Sequence, residues 1–169
     1  RIAGSNRYDT SLEIADSLKE HFNYNGGFIL ANGYKAADAM SISTYATAKK
    51  MPILLVDSSF MPENTKIKLK DWNIKKLEIV GGSSSIANSV VTDNDFALEK
   101  RISGRDRYET SLEVAKNLTG EVDSFVIANG TERACVDALA AGPLAYVKHG
   151  AILLTDGDNL IKDIQDYIE

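Results

Sequence analysis

Arginine and tyrosine recur in this chain at fixed distances from glycine, threonine and serine. "RIAGSNRYDTSLEIA" runs from Arg1 to Ala15 and "RISGRDRYETSLEVA" from Arg101 to Ala115, with ten identities in fifteen positions. A guanidinium is a planar fork that binds phosphate or carboxylate in bidentate fashion. Arg1, Arg7, Arg101 and Arg107 all recur where a helix is expected to begin. A helix N-terminus, with its unpaired backbone N–H groups and partial positive charge, is disposed to hold an anion. The four arginines are therefore candidate anion ligands. The alternative is that each pairs with a carboxylate such as Asp38 or Asp137 and pins a loop. Tyr8 and Tyr108 either start an apolar stripe or stack on a sugar. Thr10 and Thr110, inside the first turn, are expected to add local hydrogen bonds.

Two further blocks repeat in the same order. "FILANG" (Phe28 to Gly33) returns as "FVIANG" (Phe125 to Gly130), and "PILLVD" (Pro52 to Asp57) returns as "AILLTD" (Ala151 to Asp156). Asp38 and Asp137 match between these blocks. Asn32-Gly33 and Asn129-Gly130 each end an apolar run ahead of a helix. Such a turn permits close backbone approach and left-handed geometry. It also lies at the carboxyl ends of parallel strands, where α/β folds place ligands. An ordinary tight turn is the other reading. Ordered blocks at a long period mean repeated modules.

Catalytic chemistry finds little support. Gly81-Gly82-Ser83-Ser84-Ser85 lacks the Gly-Lys-Ser/Thr ending of a phosphate loop, and no G-x-G-x-x-G is present. His21 and His149 do not recur with the modules, so a shared catalytic site built on them is not expected. A lone cysteine, Cys135, rules out an internal disulfide and reads as a small buried residue. No zinc-type spacing occurs. No enzyme activity, cofactor or metal is expected.

Composition is that of an ordinary soluble protein. The chain has 169 residues, 44% hydrophobic and 25% charged, enough for a real core in one or two compact domains. No apolar run approaches a membrane helix. Nineteen Lys+Arg against 24 Asp+Glu give a formal charge of -5, which argues against nucleic-acid binding. An anionic ligand then requires a local basic cluster. The start at Arg reads as a fragment of a longer chain.

The elements that would position these residues follow from periodicity. Tyr8, Leu12, Ala15, Leu18 and Phe22 recur at helical intervals, as do Tyr108, Leu112, Ala115 and Leu118. Asn6 and Asp106 fall at N-caps, Glu109 suggests a capping box, and Gly120 a stop. Phe28–Ala31, Ile53–Val56, Phe125–Ala128 and Ile152–Thr155 read as strands covered on both faces, and Leu77–Val80 as a further strand running into Gly81-Gly82. Ile53-Leu54-Leu55 and Ile152-Leu153-Leu154 are core in central strands. Helix-length segments run from Ala36 to Lys49 and from Arg133 to Lys148, the second kinked or split at Pro143. A helix is expected from about Ile86. Alternation of strand and helix predicts an α/β, Rossmann-like fold with mostly parallel sheets flanked by helices. The modules are read as 1–100 and a truncated 101–169, with an alternative split near 75.

The string "RISGRDRYETSLEVA", a strand ending in "ANG", an Asp-Ala helix start, an "ILL" strand and "VGG" together resemble the cell-wall-binding repeat type 2 family of Gram-positive surface proteins. The resemblance spans nearly the whole chain. It implies modules that occur as three in tandem and pack with pseudo-threefold symmetry. It also implies a non-covalent anchor to an anionic secondary cell-wall polymer, outside the cell at the wall, with no membrane partner and with further module copies as partners in cis or in trans. The Ile-Leu-Leu strand is its hallmark. The alternatives are an assembly domain that binds no ligand, or a small-nucleotide-binding α/β domain.

Overall fold

The computed structural model describes residues 1–22, 24, 26–118, 122–131, 138, 140–157 and 159–169. The elements run α1 (Arg7–Phe22), β1 (Phe28–Asn32), α2 (Ala36–Ser41), α3 (Ser43–Lys49), β2 (Ile53–Val56), α4 (Glu63–Asp71), β3 (Lys76–Val80), α5 (Ser89–Thr92), β4 (Ala97–Ile102), α6 (Arg107–Lys116), β5 (Ser124–Asn129), α7 (Ala141–Val147), β6 (Gly150–Thr155) and α8 (Lys162–Ile168). The short apolar runs are strands, as their length and flanking turn residues require. They pair in parallel: Leu30 lies opposite both Leu54 and Ile79, and Ile127 opposite Leu153. One sheet has the order β2-β1-β3-β4 and the other is β5-β6.

The chain forms two compact units, and they do not follow the repeat. Unit 1 holds 1–35 and 50–101; unit 2 holds 36–49 and 102–169. Helices α2 and α3, encoded between β1 and β2, therefore pack with the second repeat's strands and helices. In unit 1, Phe28, Leu30, Leu54, Leu77 and Ile79 meet Leu12 and Ala15 of α1 and Leu69 of α4. Trp72 stacks on Phe28 with ring centroids 5.3 Å apart. In unit 2, Leu112 and Ala115 of α6 close over Ala151, Leu153 and Ile164, while Ala37, Ala141 and Ala145 cover Ile152 and Leu154.

Several expectations change on contact with the structure. The two Ile-Leu-Leu strands are edge strands of their sheets, not central ones. β2 accordingly buries alternate residues only, whereas β6, under helices from two repeats, is wholly buried. β5 is half-covered, with Ile127 45% exposed. The helix expected from Ile86 is a single turn starting at Ser89. The strand β4 was not expected, and it places Arg101 in a ladder ahead of any helix. The first alanine-rich segment breaks at Ile42 without a proline. Pro143 sits instead in the first turn of α7, where a missing N–H costs nothing. Gly120, Cys135, Asp137 and Arg133 lie outside the described residues.

Candidate functional site

The repeated letters form one hydrogen-bond frame, built twice. Asn6 Oδ1 accepts from the Asp9 N–H at 2.9 Å, and Asp106 Oδ1 from the Glu109 N–H at 2.9 Å, so both helices are capped as their sequence suggests. Thr10 Oγ1 donates to the Asn6 carbonyl and accepts from the Gly4 N–H; Thr110 does the same with Asp106 and Gly104. The incoming chain lies so close to the helix that a Cβ on Gly4 or Gly104 would sit 2.4 Å from the Cβ of residue 9 or 109. Ser11 Oγ and Ser111 Oγ accept from the N–H of Leu55 and Leu154 at 3.0 and 2.9 Å. These serines cap backbone donors of edge strands that no neighbouring strand can satisfy. Sequence reasoning passed over both serines, although their conservation between the two copies was visible.

Arg7 and Arg107 reach the Asn-Gly turns. Arg7 Nη1 donates to the Gly33 carbonyl at 2.6 Å and Arg107 Nη1 to the Gly130 carbonyl at 2.8 Å. The glycines are required by close approach rather than by left-handed backbone. A Cβ at Gly33 would lie 2.8 Å from the Tyr8 ring, and one at Gly130 2.9 Å from the Tyr108 ring. The Arg7 guanidinium also stacks on Tyr34 at 4.4 Å from the ring centroid. Tyr34 is 67% exposed and lies edge-on to Tyr8. Among the described residues no carboxylate forms an ion pair with Arg7, which stays exposed. Lys35, on the same turn, extends to the Ser84 carbonyl at 3.2 Å. Arg7, Tyr34 and Lys35 thus gather two cations and an open aromatic face beyond the carboxyl end of β1. Tyr34 was missed because it does not repeat: Thr131 occupies its place.

The remaining candidates are placed as follows. Tyr8 and Tyr108 are half-buried, Tyr108 packed against two of the core clusters of unit 2. Burial above all, then the adjacent Tyr34 phenol, pushes the Tyr8 hydroxyl up to a pKa of about 12. Asn32 Nδ2 donates to the Ser85 carbonyl and its Oδ1 accepts from the Tyr34 N–H, so this buried amide closes its own turn. Asn129 Oδ1 accepts in the same way from the Thr131 N–H. Asp38 is buried on α2 in unit 2. Arg101, half-buried, donates to the carbonyls of Gly81 and Ile86 and to Asn88 Oδ1, and burial lowers its pKa. To contact a polymer it would have to release that loop. Arg1 is exposed. Leu54, Ile152, Leu153 and Leu154 are fully buried, while Ile53 and Leu55 are half-buried.

Where the letters drift, the chemistry drifts with them. In unit 2, Glu109 reaches back past the cap to the Arg105 N–H and guanidinium, and Arg105 also meets Asp163 of α8 at 3.5 Å. Hydrogen bonds from Arg105 lower the Glu109 carboxyl to a pKa of about 2. In unit 1 the matching positions are Ser5, Asp9 and Asn64. Asp9 is held by these neutral donors and by Asn6, which lower its pKa, Ser5 most strongly. The groove beside α1 stays open there, about 390 Å³ between Gly4, Asp9, Asn64, Lys68 and Asp71. Among the described residues no group of His, Cys, Asp and Glu is placed to hold a metal ion, and no helix is long and apolar enough to cross a membrane.

Comparison with known proteins places this frame. The model of Cell wall binding domain 2 (CWB2) matches residues 1–91 and again 101–168. The chain is 33% identical over 160 residues to N-acetylmuramoyl-L-alanine amidase LytC of Bacillus subtilis (strain 168), covering 95% of this chain and 31% of that protein. It is 35% identical over 162 residues to the Amidase enhancer of the same organism, covering 95% and 21%. Cwp6 from Clostridium difficile superposes with a TM-score of 0.86 at 29% identity, over 99% of this chain and 26% of that one. Cwp8 from Clostridium difficile gives 0.77 at 27% identity, over 91% and 27%. The chain spans less than a third of each of these proteins. Two family matches in tandem, on a doubled frame of cap, serine bridge and arginine-pinned turn, show that the chain belongs to the cell wall binding domain 2 family and carries two of its repeats.

Proposed function

We propose that this pair of modules anchors a surface protein non-covalently to an anionic secondary cell-wall polymer, without catalysing a reaction. The observation that carries this reading is Arg7, an exposed guanidinium with no carboxylate partner among the described residues, stacked on the open face of Tyr34 beside Lys35. An acidic chain that binds a polyanion must do so through such a local cluster. Guanidinium and ammonium supply donors for phosphate or carboxylate, and the aromatic face suits a sugar ring. Arg107, on the equivalent turn, is the second candidate contact. Tyr8, Thr10, Asn32 and Gly33, with Tyr108, Thr110, Asn129 and Gly130, hold the two turns in shape around these cations. The test is pull-down of the chain with purified Gram-positive walls before and after the anionic polymer is stripped. Binding lost on stripping supports the polymer as ligand; retention moves the ligand to peptidoglycan.

A further inference from the structure

In unit 1 the loops after β1 and β2 start side by side. Asn32 and Val56 are paired in the sheet, and the Gly33 N–H donates to the Val56 carbonyl at 2.9 Å, so both turns leave the same end of adjacent strands. Each turn is tied by one side chain. Asn32 Oδ1 accepts from the Tyr34 N–H at 2.7 Å. Asp57 Oδ1 accepts from the Ser59 N–H at 3.1 Å, while the Asp57 N–H donates to the Phe60 carbonyl at 3.2 Å. Each turn then presents an aromatic ring to solvent, with Tyr34 67% exposed and Phe60 52% exposed. Large apolar rings held in water on neighbouring loops mark a binding surface rather than a core.

Unit 2 builds the same two turns without the rings. Asn129 Oδ1 accepts from the Thr131 N–H at 2.9 Å, and Asp156 Oδ1 accepts from the Asn159 N–H at 3.2 Å. Thr131 stands where the first repeat has Tyr34, and Asn159 where it has Phe60. The ties recur and the aromatic tips do not, so the rings are not needed to form the turns. In unit 1 the Tyr34 ring is nevertheless held in place, by the Arg7 guanidinium 4.4 Å from its centroid and by Tyr8 edge-on at 6.4 Å.

We propose that Tyr34 and Phe60 read sugar rings on the wall polymer, so that unit 1 distinguishes a glycosylated polyanion from a bare one and unit 2 does not. This rests on the polymer-binding reading above and adds which unit selects, and by what chemistry. A pyranose ring presents C–H groups whose hydrogens are slightly positive, and the face of an aromatic ring is negative, so the two pack flat on each other. Thr131 and Asn159 offer such a ring hydrogen bonds but no face. Arg7 beside Tyr34 seats the anion next to the stacked ring, so the preferred ligand carries its glycosyl group on the same repeating unit as its phosphate. The carboxyl ends of parallel strands are where α/β sheets place ligands.

The test is binding of the chain at low salt to poly(glycerol phosphate) carrying glucosyl groups and to the same polymer without them, read as the ratio of the two affinities. The parent should prefer the glucosylated polymer about tenfold or more. Tyr34→Thr and Phe60→Asn, which install the residues of unit 2, should each lower that ratio about threefold or more and together bring it to about one. Tyr34→Phe and Phe60→Tyr keep the rings and should keep the ratio. Both positions are exposed, so circular dichroism should match the parent. If Tyr34→Thr unfolds, the two Phe60 variants carry the test. Equal affinity of the parent for both polymers, a ratio unchanged in Tyr34→Thr and Phe60→Asn, or a ratio lost in Tyr34→Phe and Phe60→Tyr would overturn the proposal while leaving polymer binding in place. A parent that binds neither polymer would overturn the polymer reading itself, and the proposal with it.

Discussion

The starts of α1 and α6 are built from the same ten letters and make the same bonds from cap, threonine and serine, yet their surfaces are unlike. One differs from the other chiefly by Ser5 against Arg105 and Asp9 against Glu109. The shorter acid is met by neutral side chains and leaves a groove; the longer one reaches a guanidinium that also meets Asp163 across the same space. The letters that repeat hold the frame, and the letters that drift set what the surface can bind. Tyr34 follows the same rule, since the residue that gives Arg7 its aromatic partner has no copy.

That division is broken or sharpened by substitution in pairs. The largest effect is expected for Leu54→Asp and Leu153→Asp, each fully buried, where an unpaired carboxylate costs about 4 kcal/mol or more. Both should abolish the cooperative melt of the unit concerned, seen by circular dichroism, and an intact melt in either would remove that leucine from the core of its unit. Next come Gly4→Ala and Gly104→Ala. The added methyl overlaps the helix backbone in both copies, so stability should fall by about 1–3 kcal/mol in each. A clear inequality between them would mean that the two entry turns are not equivalent.

Ser11→Ala and Ser111→Ala should follow, by about 1–2 kcal/mol, because each strands an edge-strand N–H. Here the copies should differ. The Ser111 bond to Leu154 is buried and the Ser11 bond to Leu55 only partly so, and chemical denaturation should rank Ser111→Ala as the worse. The smallest effect concerns acid. The Glu109 carboxyl has a folded pKa of about 2 against an ordinary 4.5, so its contribution is complete above 4.5 and is lost as pH falls toward 2. Arg105→Ala should flatten that part of the acid profile. An unchanged profile would show that the Arg105 pair contributes nothing to stability, as exposed pairs often do.

The strands and opening helices were legible because short apolar runs and three-four spacing have few other physical solutions. β4 was not, since Leu98, Glu99, Lys100 and Arg101 in "ALEKRI" are good helix formers in a half-covered strand. The assignment of α2 and α3 to unit 2 was also invisible. A repeat reveals which segments are alike, and says nothing about which copy each one packs against. For the candidate site, the arginine positions and the Asn-Gly turns were readable from recurrence. The loop-pinning role of Arg101 was not, because its partners are the backbone carbonyls of Gly81 and Ile86, which carry no side-chain signature.

The most direct test of the account is wall binding by the Arg7→Glu variant at low and at physiological salt. Among the described residues its hydrogen bond is the exposed one to Gly33, and an acid in a first helical turn is favourable to the dipole, so the melt should match the parent. Affinity should drop about tenfold or more, the worth of one charge-assisted hydrogen bond. The difference between variant and parent should narrow as salt screens the parent. A variant that binds walls as tightly as the parent at low salt, or that unfolds, would contradict the claim and leave Arg7 a pin for the Asn-Gly turn.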